Sequence, residues 1–238
     1  MVSLTHQSEI ERDGFTIVEN ALTRVETERW VAELELLLAS QQVAIKNRRG
    51  AVYAARNILS SLPECCDISR IAVLKSLLSE TLGPEFGLVR GLYFDKHPDR
   101  TWSLPWHKDL TIAVKDNSLP TKLFSKPTNK NGVPHVEAPE SVLENMLTLR
   151  IHLDKVTEEN GPLEVAIGSH ANGKKADPSH RVKKILVNAG DVLAMRPMLS
   201  HASGSSTPSS RMHRRILHLE FASQRKLADG FEWFEFIQ

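Results

Sequence analysis

The sequence predicts a mainly β fold, a double sheet or barrel under a helical cover. Three observations carry that expectation. Apolar residues recur at helical spacing only before about residue 85. From residue 86 the pattern changes to short runs, several alternating with period two. Gly and Pro turns separate those runs. A chain of 238 residues suits one large domain. We therefore expect a single domain over 1–238, with a helical part at about 1–85 and a β core at about 86–223.

Leu4 to Asp13 reads as a short amphipathic helix broken by Gly14, and Phe15-Thr16-Ile17-Val18 reads as a strand. Thr23 caps a longer helix, and Glu26 three residues on completes a capping box. Trp30, Val31, Leu34, Leu37 and Leu38 share one face of it and belong to the core. Residues 41–70 have weak periodicity and read as irregular. Ile71 to Leu82 is a helix closed by Gly83-Pro84. Leu88 to Phe94 is the first clear strand of the β part, followed by a turn around His97-Pro98-Asp99. Residues 115–144, rich in Lys, Asn, Pro and Ser, read as a long loop and a candidate lid. Met146 to Asp154 alternates, with Leu147, Leu149, Ile151 and Leu153 on one face and Thr148, Arg150 and His152 on the other. Further strands are expected at Leu163 to Ile167, Lys184 to Val187, Asp191 to Met195 and Arg214 to Phe221. Trp233, Phe234 and Phe236 read as a packing patch.

Thirty basic residues against 29 acidic ones give a formal net charge of +1, which suggests neither a nucleic-acid nor a membrane surface. Cys65 and Cys66 are adjacent, so no disulfide framework is expected and a reducing compartment fits. The first residues lack a secretory pattern, and no apolar stretch has the length of a membrane span. The expectation is a cytoplasmic protein, monomer or homodimer.

The chemistry centres on Leu104-Pro105-Trp106-His107-Lys108-Asp109-Leu110. Read as a strand, it puts His107 and Asp109 on one face. An imidazole and a carboxylate side by side make two-thirds of a 2-His-1-carboxylate set, which leaves positions open on a non-haem Fe(II). Among the downstream histidines, His201 follows a strand-turn-strand unit and is the candidate third ligand. Ser203 shares its face if the backbone stays extended. In the strand that begins at Arg214, the apolar face holds Arg215, Leu217, Leu219 and Phe221. Arg214, Ile216 and His218 hold the other, so Arg214 is aimed inward and Arg215 outward. A 2-oxo acid chelating the metal needs a buried cation for its far carboxylate, and the planar fork of arginine suits it.

Leu92-Tyr93-Phe94-Asp95-Lys96, Trp106-His107-Lys108-Asp109, Asn160-Gly161-Pro162-Leu163, Gly168-Ser169-His170, Ala189-Gly190-Asp191-Val192 and His201-Ala202-Ser203-Gly204…Arg214-Arg215 follow one another in an order that resembles the phytanoyl-CoA dioxygenase (PhyH-like) family. Asp13-Gly14-Phe15-Thr16-Ile17-Val18 is similar to that family's opening strand. The resemblance implies a double-stranded β-helix, a cupin-like jelly roll with N-terminal helices packed on one sheet. It implies Fe(II), 2-oxoglutarate as cosubstrate and O2. Carried over by position, His107, Asp109 and His201 match the metal ligands, Arg214 with Ser203 matches the cosubstrate carboxylate site, and Arg150 falls near the cosubstrate. Two departures stand out. Pro208-Ser209-Ser210-Arg211-Met212 lengthens the His-to-Arg gap, so Arg211 and Arg215 rival Arg214. Ser205-Ser206 also stands where the family commonly has an asparagine. Asp109 is present where the family's halogenases have a small residue, which favours hydroxylation.

Two other readings remain open from the residues alone: a non-catalytic jelly-roll metal- or ligand-binding protein, and a cupin-type metalloenzyme with Zn or Mn and no 2-oxo acid. His170 reads as structural, His218 as a core histidine, and Lys115, Lys122, Lys126 and Lys130 as solvated.

Overall fold

The computed structural model describes residues 5–40, 44–48, 51–98 and 101–238. Helix α1 (His6–Asp13) is capped by Thr5, whose hydroxyl accepts from Ser8 N, and ends at Gly14 in the left-handed region. Strand β1 (Phe15–Val18) follows. Helix α2 (Arg24–Ala39) opens with the expected capping box between Thr23 and Glu26. Its core face is Trp30, Leu34 and Leu37.

The irregular stretch expected at 41–70 is corrected in part: it contains strands β2 (Ala44–Arg48) and β3 (Ala51–Arg56) and a 3-10 helix at Pro63–Arg70. Positions 41–43, 49 and 50 lie outside the described residues. Alanine, lysine and asparagine are poor strand formers. Pairing of β3 with the next long strand supplies what local propensity lacks. Helix α3 (Ala72–Leu82) leads into β4 (Gly87–Lys96). Asp99, part of the expected turn, lies outside the described residues.

The stretch 115–144 is not a long loop. Strands β5 (Leu104–His107) and β6 (Thr111–Ala113) precede a hairpin, β7 (Ser125–Lys130) and β8 (Val133–Glu137), and the short helix α4 (Glu140–Leu143). Asn131-Gly132 makes its turn, both residues at positive φ, the conformation this dipeptide favours between twisted strands. Strands β9 (Met146–His152), β10 (Leu163–Ala166), β11 (Val182–Ile185), β12 (Val192–Met195), β13 (His201–Ser203) and β14 (Arg214–Ala222) complete the fold. The β11 strand starts two residues before the expected Lys184.

Seven strands form one antiparallel sheet in the order β1-β12-β9-β14-β4-β3-β2, and four form a second in the order β11-β10-β13-β5. A third, of β6-β8-β7, flanks them. Together they make the jelly roll. The two faces of the large sheet differ in chemistry. Leu147, Leu149 and Ile151 of β9 and Leu217, Leu219 and Phe221 of β14 pack with Trp30, Leu34, Leu74 and Leu78 in one cluster under α2 and α3. Each such side chain contributes roughly 1.5–3 kcal/mol when fully buried. The opposite face carries Arg150, His152, Arg214, His218 and Glu220, all buried. Apolar burial on one face thus offsets the cost of a polar cavity on the other. Between the two sheets Val165, Ile185, Leu193 and Met195 close one end of the sandwich.

Candidate active site

Register delivers the site. His201 of β13 pairs directly with His107 of β5, so two histidines 94 positions apart in sequence face each other across one ladder. Their ring centroids lie 4.1 Å apart. The alternation expected for His107 and Asp109 does not hold as such, because β5 ends at His107. The chain turns there, held by Asp109 N donating to Pro197 O at 2.9 Å. Lys108 is buried and donates to Ser169 O at 2.7 Å and Gly173 O at 2.5 Å, which anchors the segment from behind. The carboxylate still meets both rings: Asp109 Oδ1 is 3.8 Å from His107 Nε2, and Oδ2 is 3.6 Å from His201 Nε2. One ligand atom from each residue lies within 4.8 Å of the others, an arrangement that could hold a metal ion.

The imidazoles are held in one tautomer. Each donates Nδ1–H to the carbonyl two residues before it, His107 to Pro105 O and His201 to Leu199 O, both at 2.8 Å. Nε2 is then the free lone pair in both rings, aimed at the carboxylate. Burial pushes His201 down to about 4, so it is neutral at pH 7. Burial opposes ionisation of Asp109 as well, but His201, His218, His107 and Arg90 outweigh it and hold the carboxyl below the usual range. Two neutral imidazoles and a carboxylate are the donor set a divalent transition metal takes.

The cavity around them has a volume of about 260 Å³ and draws its walls from both large sheets. Arg214 is buried in it, and its Nε and one terminal nitrogen have no hydrogen-bond partner. Burial, together with Arg150, lowers it to about 9. Arg215 points the other way, with its Nη2 bonded to Asp154 at 2.8 Å and its Nη1 to Glu35 at 3.0 Å. Arg211 is exposed. Ser203 and Arg150 also line the cavity. Arg150 donates to His218 Nδ1 at 3.1 Å, and His218 Nε2 in turn donates to Glu220 at 3.1 Å. His218, expected as a core histidine, is buried and hydrogen-bonded as such but also lines the cavity wall. The turn at Ala189-Gly190-Asp191 ties the β1–α2 connection to the sheet: a Cβ on Gly190 would collide with Leu22 O, and Asp191 accepts from Asn20 N and Asn188 N.

Sequence reasoning passed over Lys96, though its motif was noticed. It lies opposite Arg214 in the β14–β4 ladder, fully buried. Its Nζ donates to Ser203 Oγ at 3.0 Å, Gly161 O at 3.4 Å and Gly204 O. Burial, then Arg214 and Arg150, push it down to about 6 from an ordinary 10.5. The unfolded chain binds the Lys96 proton more tightly, so this group weakens the fold most below about pH 6 and stops doing so near pH 10.5. Lys96→Met is therefore expected to gain melting temperature relative to wild type at pH 6.5, with the difference narrowing steadily toward pH 10. A pH-independent difference would show that Lys96 is charged in the fold.

A model of the phytanoyl-CoA dioxygenase (PhyH) family matches residues 10–213. Among solved structures, the chain is similar to EctD from S. alaskensis with bound Fe, at 17% identity and a TM-score of 0.69, over 93% of this chain and 77% of that one. It is similar to the epimerase SnoN in complex with Fe3+, alpha ketoglutarate and nogalamycin RO, at 15% identity and a TM-score of 0.64, over 94% and 86%. It is also similar to HygX from Streptomyces hygroscopicus with nickel and 2-oxoglutarate bound, at 16% identity and a TM-score of 0.61, over 92% and 87%. At such identities these structures speak for a shared fold. The family match covers most of the sequence, and with it the ordered motifs and the His-Asp-His cluster gain one explanation: the chain belongs to the phytanoyl-CoA dioxygenase (PhyH) family of 2-oxoglutarate-dependent non-haem iron enzymes.

Proposed function

We propose that this domain hydroxylates a small organic molecule, R–H + 2-oxoglutarate + O2 giving R–OH + succinate + CO2. His107, Asp109 and His201 would hold Fe(II), and Arg214 with Ser203 would take the far carboxylate of 2-oxoglutarate. The observation that carries the reading is one cavity containing both a converged His-Asp-His set and a buried guanidinium with open donors. A buried cation lacking partners is costly, and a dicarboxylate anchored there relieves it. The likeness to SnoN and HygX, each solved with a metal and this cosubstrate, supports the same reading.

The bound iron would supply the oxidising power to insert oxygen into a C–H bond. The protein's own residues do the rest. The Nδ1 donations of His107 and His201 hold both rings in the ligating tautomer and orientation. The planar guanidinium of Arg214 would orient the dicarboxylate as well as bind it, since a fork of N–H donors constrains direction. Ser203 accepts from Lys96, which leaves its own O–H to donate. Arg150, spanned to His218, carries positive charge toward the same space. Trp102 and Leu104 line the cavity from the β5 side and give it an apolar edge.

The test is succinate formation from 2-oxoglutarate with Fe(II) and O2, stopped by a chelator, together with a product that gains one oxygen atom. A product of unchanged mass overturns hydroxylation. Failure to bind 2-oxoglutarate in the presence of metal overturns the whole reading. Such a failure would leave the binding-protein or cupin-type alternatives, which metal analysis separates.

A further inference from the structure

The cavity holds more positive charge than a metal-bound dicarboxylate uses. Beyond Arg150 and Arg214, Arg56, Arg90 and Lys130 also line it. They sit at the other end of the inner face. Lys96 faces Arg214 across the ladder, whereas Arg90, six residues earlier on β4, faces Glu220. At strand rise that is about 20 Å along the backbone. Arg56 of β3 pairs with Leu92 between them. Lys130 comes from β7, in the segment read as a solvated loop, and that reading is corrected here.

Arg90 donates to Thr111 O at 3.0 Å and to Glu220 at 2.6 Å, while Lys130 donates to Thr111 Oγ1 at 2.8 Å. Arg56 has no acidic partner among the described residues, and both its Nε and that of Arg90 are buried without a hydrogen-bond partner. Glu220 is the one carboxylate paired within this group, and it also accepts from His218. Burial and mutual repulsion lower Arg56, and lower Lys130 to about 8. Three cations against one acid, with two guanidinium Nε atoms lacking partners, give this end of the cavity a surplus of positive charge. A 2-oxoglutarate fixed at Arg214 and directed at the triad has both of its carboxylates occupied elsewhere. Toward the Lys96 end of the same cavity, Tyr53 and Trp102 meet edge to face with centroids 5.4 Å apart, and Leu92 and Phe94 form an apolar wall that connects them to the cationic group.

We propose that Arg56, Arg90 and Lys130 select the substrate, and that the substrate carries an oxyanion, a carboxylate or a phosphate, on a body that packs against Tyr53 and Trp102. This rests on the iron and 2-oxoglutarate reading above. Thr111, which ties Arg90 and Lys130 in place, is two residues from Asp109. The anionic group is thereby held close to the metal ligands, and the reacting carbon lies within a few bonds of it.

Calorimetric titration of inorganic phosphate and, separately, of acetate into metal-free protein tests the subsite without turnover. Binding of at least one anion is expected, weakened about tenfold or more in Arg56→Gln and in Lys130→Gln and partly restored in Arg56→Lys. Which anion binds more tightly identifies the class. In the same variants the Kd of 2-oxoglutarate, measured with metal, is expected to stay within about twofold. Absence of binding by both anions, equal binding in wild type and variants, or displacement of 2-oxoglutarate by the anion each overturns the proposal. Failure of wild-type protein to bind 2-oxoglutarate strikes the parent reading instead, and the two failures are separable.

Discussion

Arg214→Lys is expected to raise the KM for 2-oxoglutarate by about 30-fold while the affinity for iron changes by less than about twofold. The sizes follow from placement. Losing one partner of a desolvated, hydrogen-bonded charge pair typically costs roughly 2–5 kcal/mol, and each 1.4 kcal/mol is tenfold. Lysine keeps a charge but has no fork, so it falls at the lower end of that range. The proposed metal ligands lie on β5, its following turn and β13, whereas Arg214 opens β14 in the other sheet. The controls are the neighbouring arginines. Arg215→Ala is expected to leave the KM alone and to lower thermal stability, since it breaks the ion pairs with Asp154 and Glu35. Arg211→Ala should do neither, as that side chain is exposed. If Arg211→Ala or Arg215→Ala raises the KM and Arg214→Lys does not, the cosubstrate is anchored elsewhere.

Much of this arrangement was legible in the residues because alternation survives in long strands. In β9 and β14 a one-residue slip would exchange a Leu/Ile/Phe face for an Arg/His face, so register is strongly specified. That is why Arg214 could be aimed inward and Arg215 outward from sequence alone. His107 and Asp109 were found by the same reasoning for a partly wrong cause, because the strand stops and a turn completes the approach. The misses have a common origin. Strands β2, β3 and β7 are rich in Ala, Lys, Asn and other weak strand formers; β3 is drawn into the sheet by β4, while β2 and β7 pair with β3 and β8 as hairpins. Arg56 and Lys130 were lost with those strands. The signal available for β7 and β8 was Asn131-Gly132, a hairpin dipeptide masked by flanking prolines. Arg90 lies within the expected strand Leu88 to Phe94, and Lys96 lies two residues beyond it, at the end of β4. A buried charge on a β-strand carries no local mark, however. Only the ladder that sets Lys96 beside Arg214 and Arg90 beside Glu220 reveals what each one faces.

Asp109→Ala is expected to abolish metal-dependent stabilisation and to lower succinate formation by about 1,000-fold or more, with the metal-free protein still folded. The carboxylate is the only formal negative charge in the ligand set, so its loss leaves two neutral imidazoles to hold a dication. A ligand present at 100 times its Kd stabilises a fold by about 2.7 kcal/mol. For a chain of this size each kcal/mol shifts the melting temperature by roughly 2–4 °C. Wild type with excess Mn(II) or Co(II) should then melt about 5–10 °C higher than without, and Asp109→Ala should show no such gain. The metal-free variant loses the attraction that holds this carboxyl below its usual range but no hydrogen bond to the rings, which lie 3.6 and 3.8 Å away, so it keeps its fold with a modest drop in stability. His201→Ala is expected to remove the same metal response, but at a cost in metal-free stability, because the buried ring also bridges β13 to β5 and donates to Leu199 O. The contrast between the two variants separates ligation from packing. An Asp109→Ala protein that keeps its metal-dependent rise in melting temperature would remove this carboxylate from the metal site, and the turn after β5 would need another purpose.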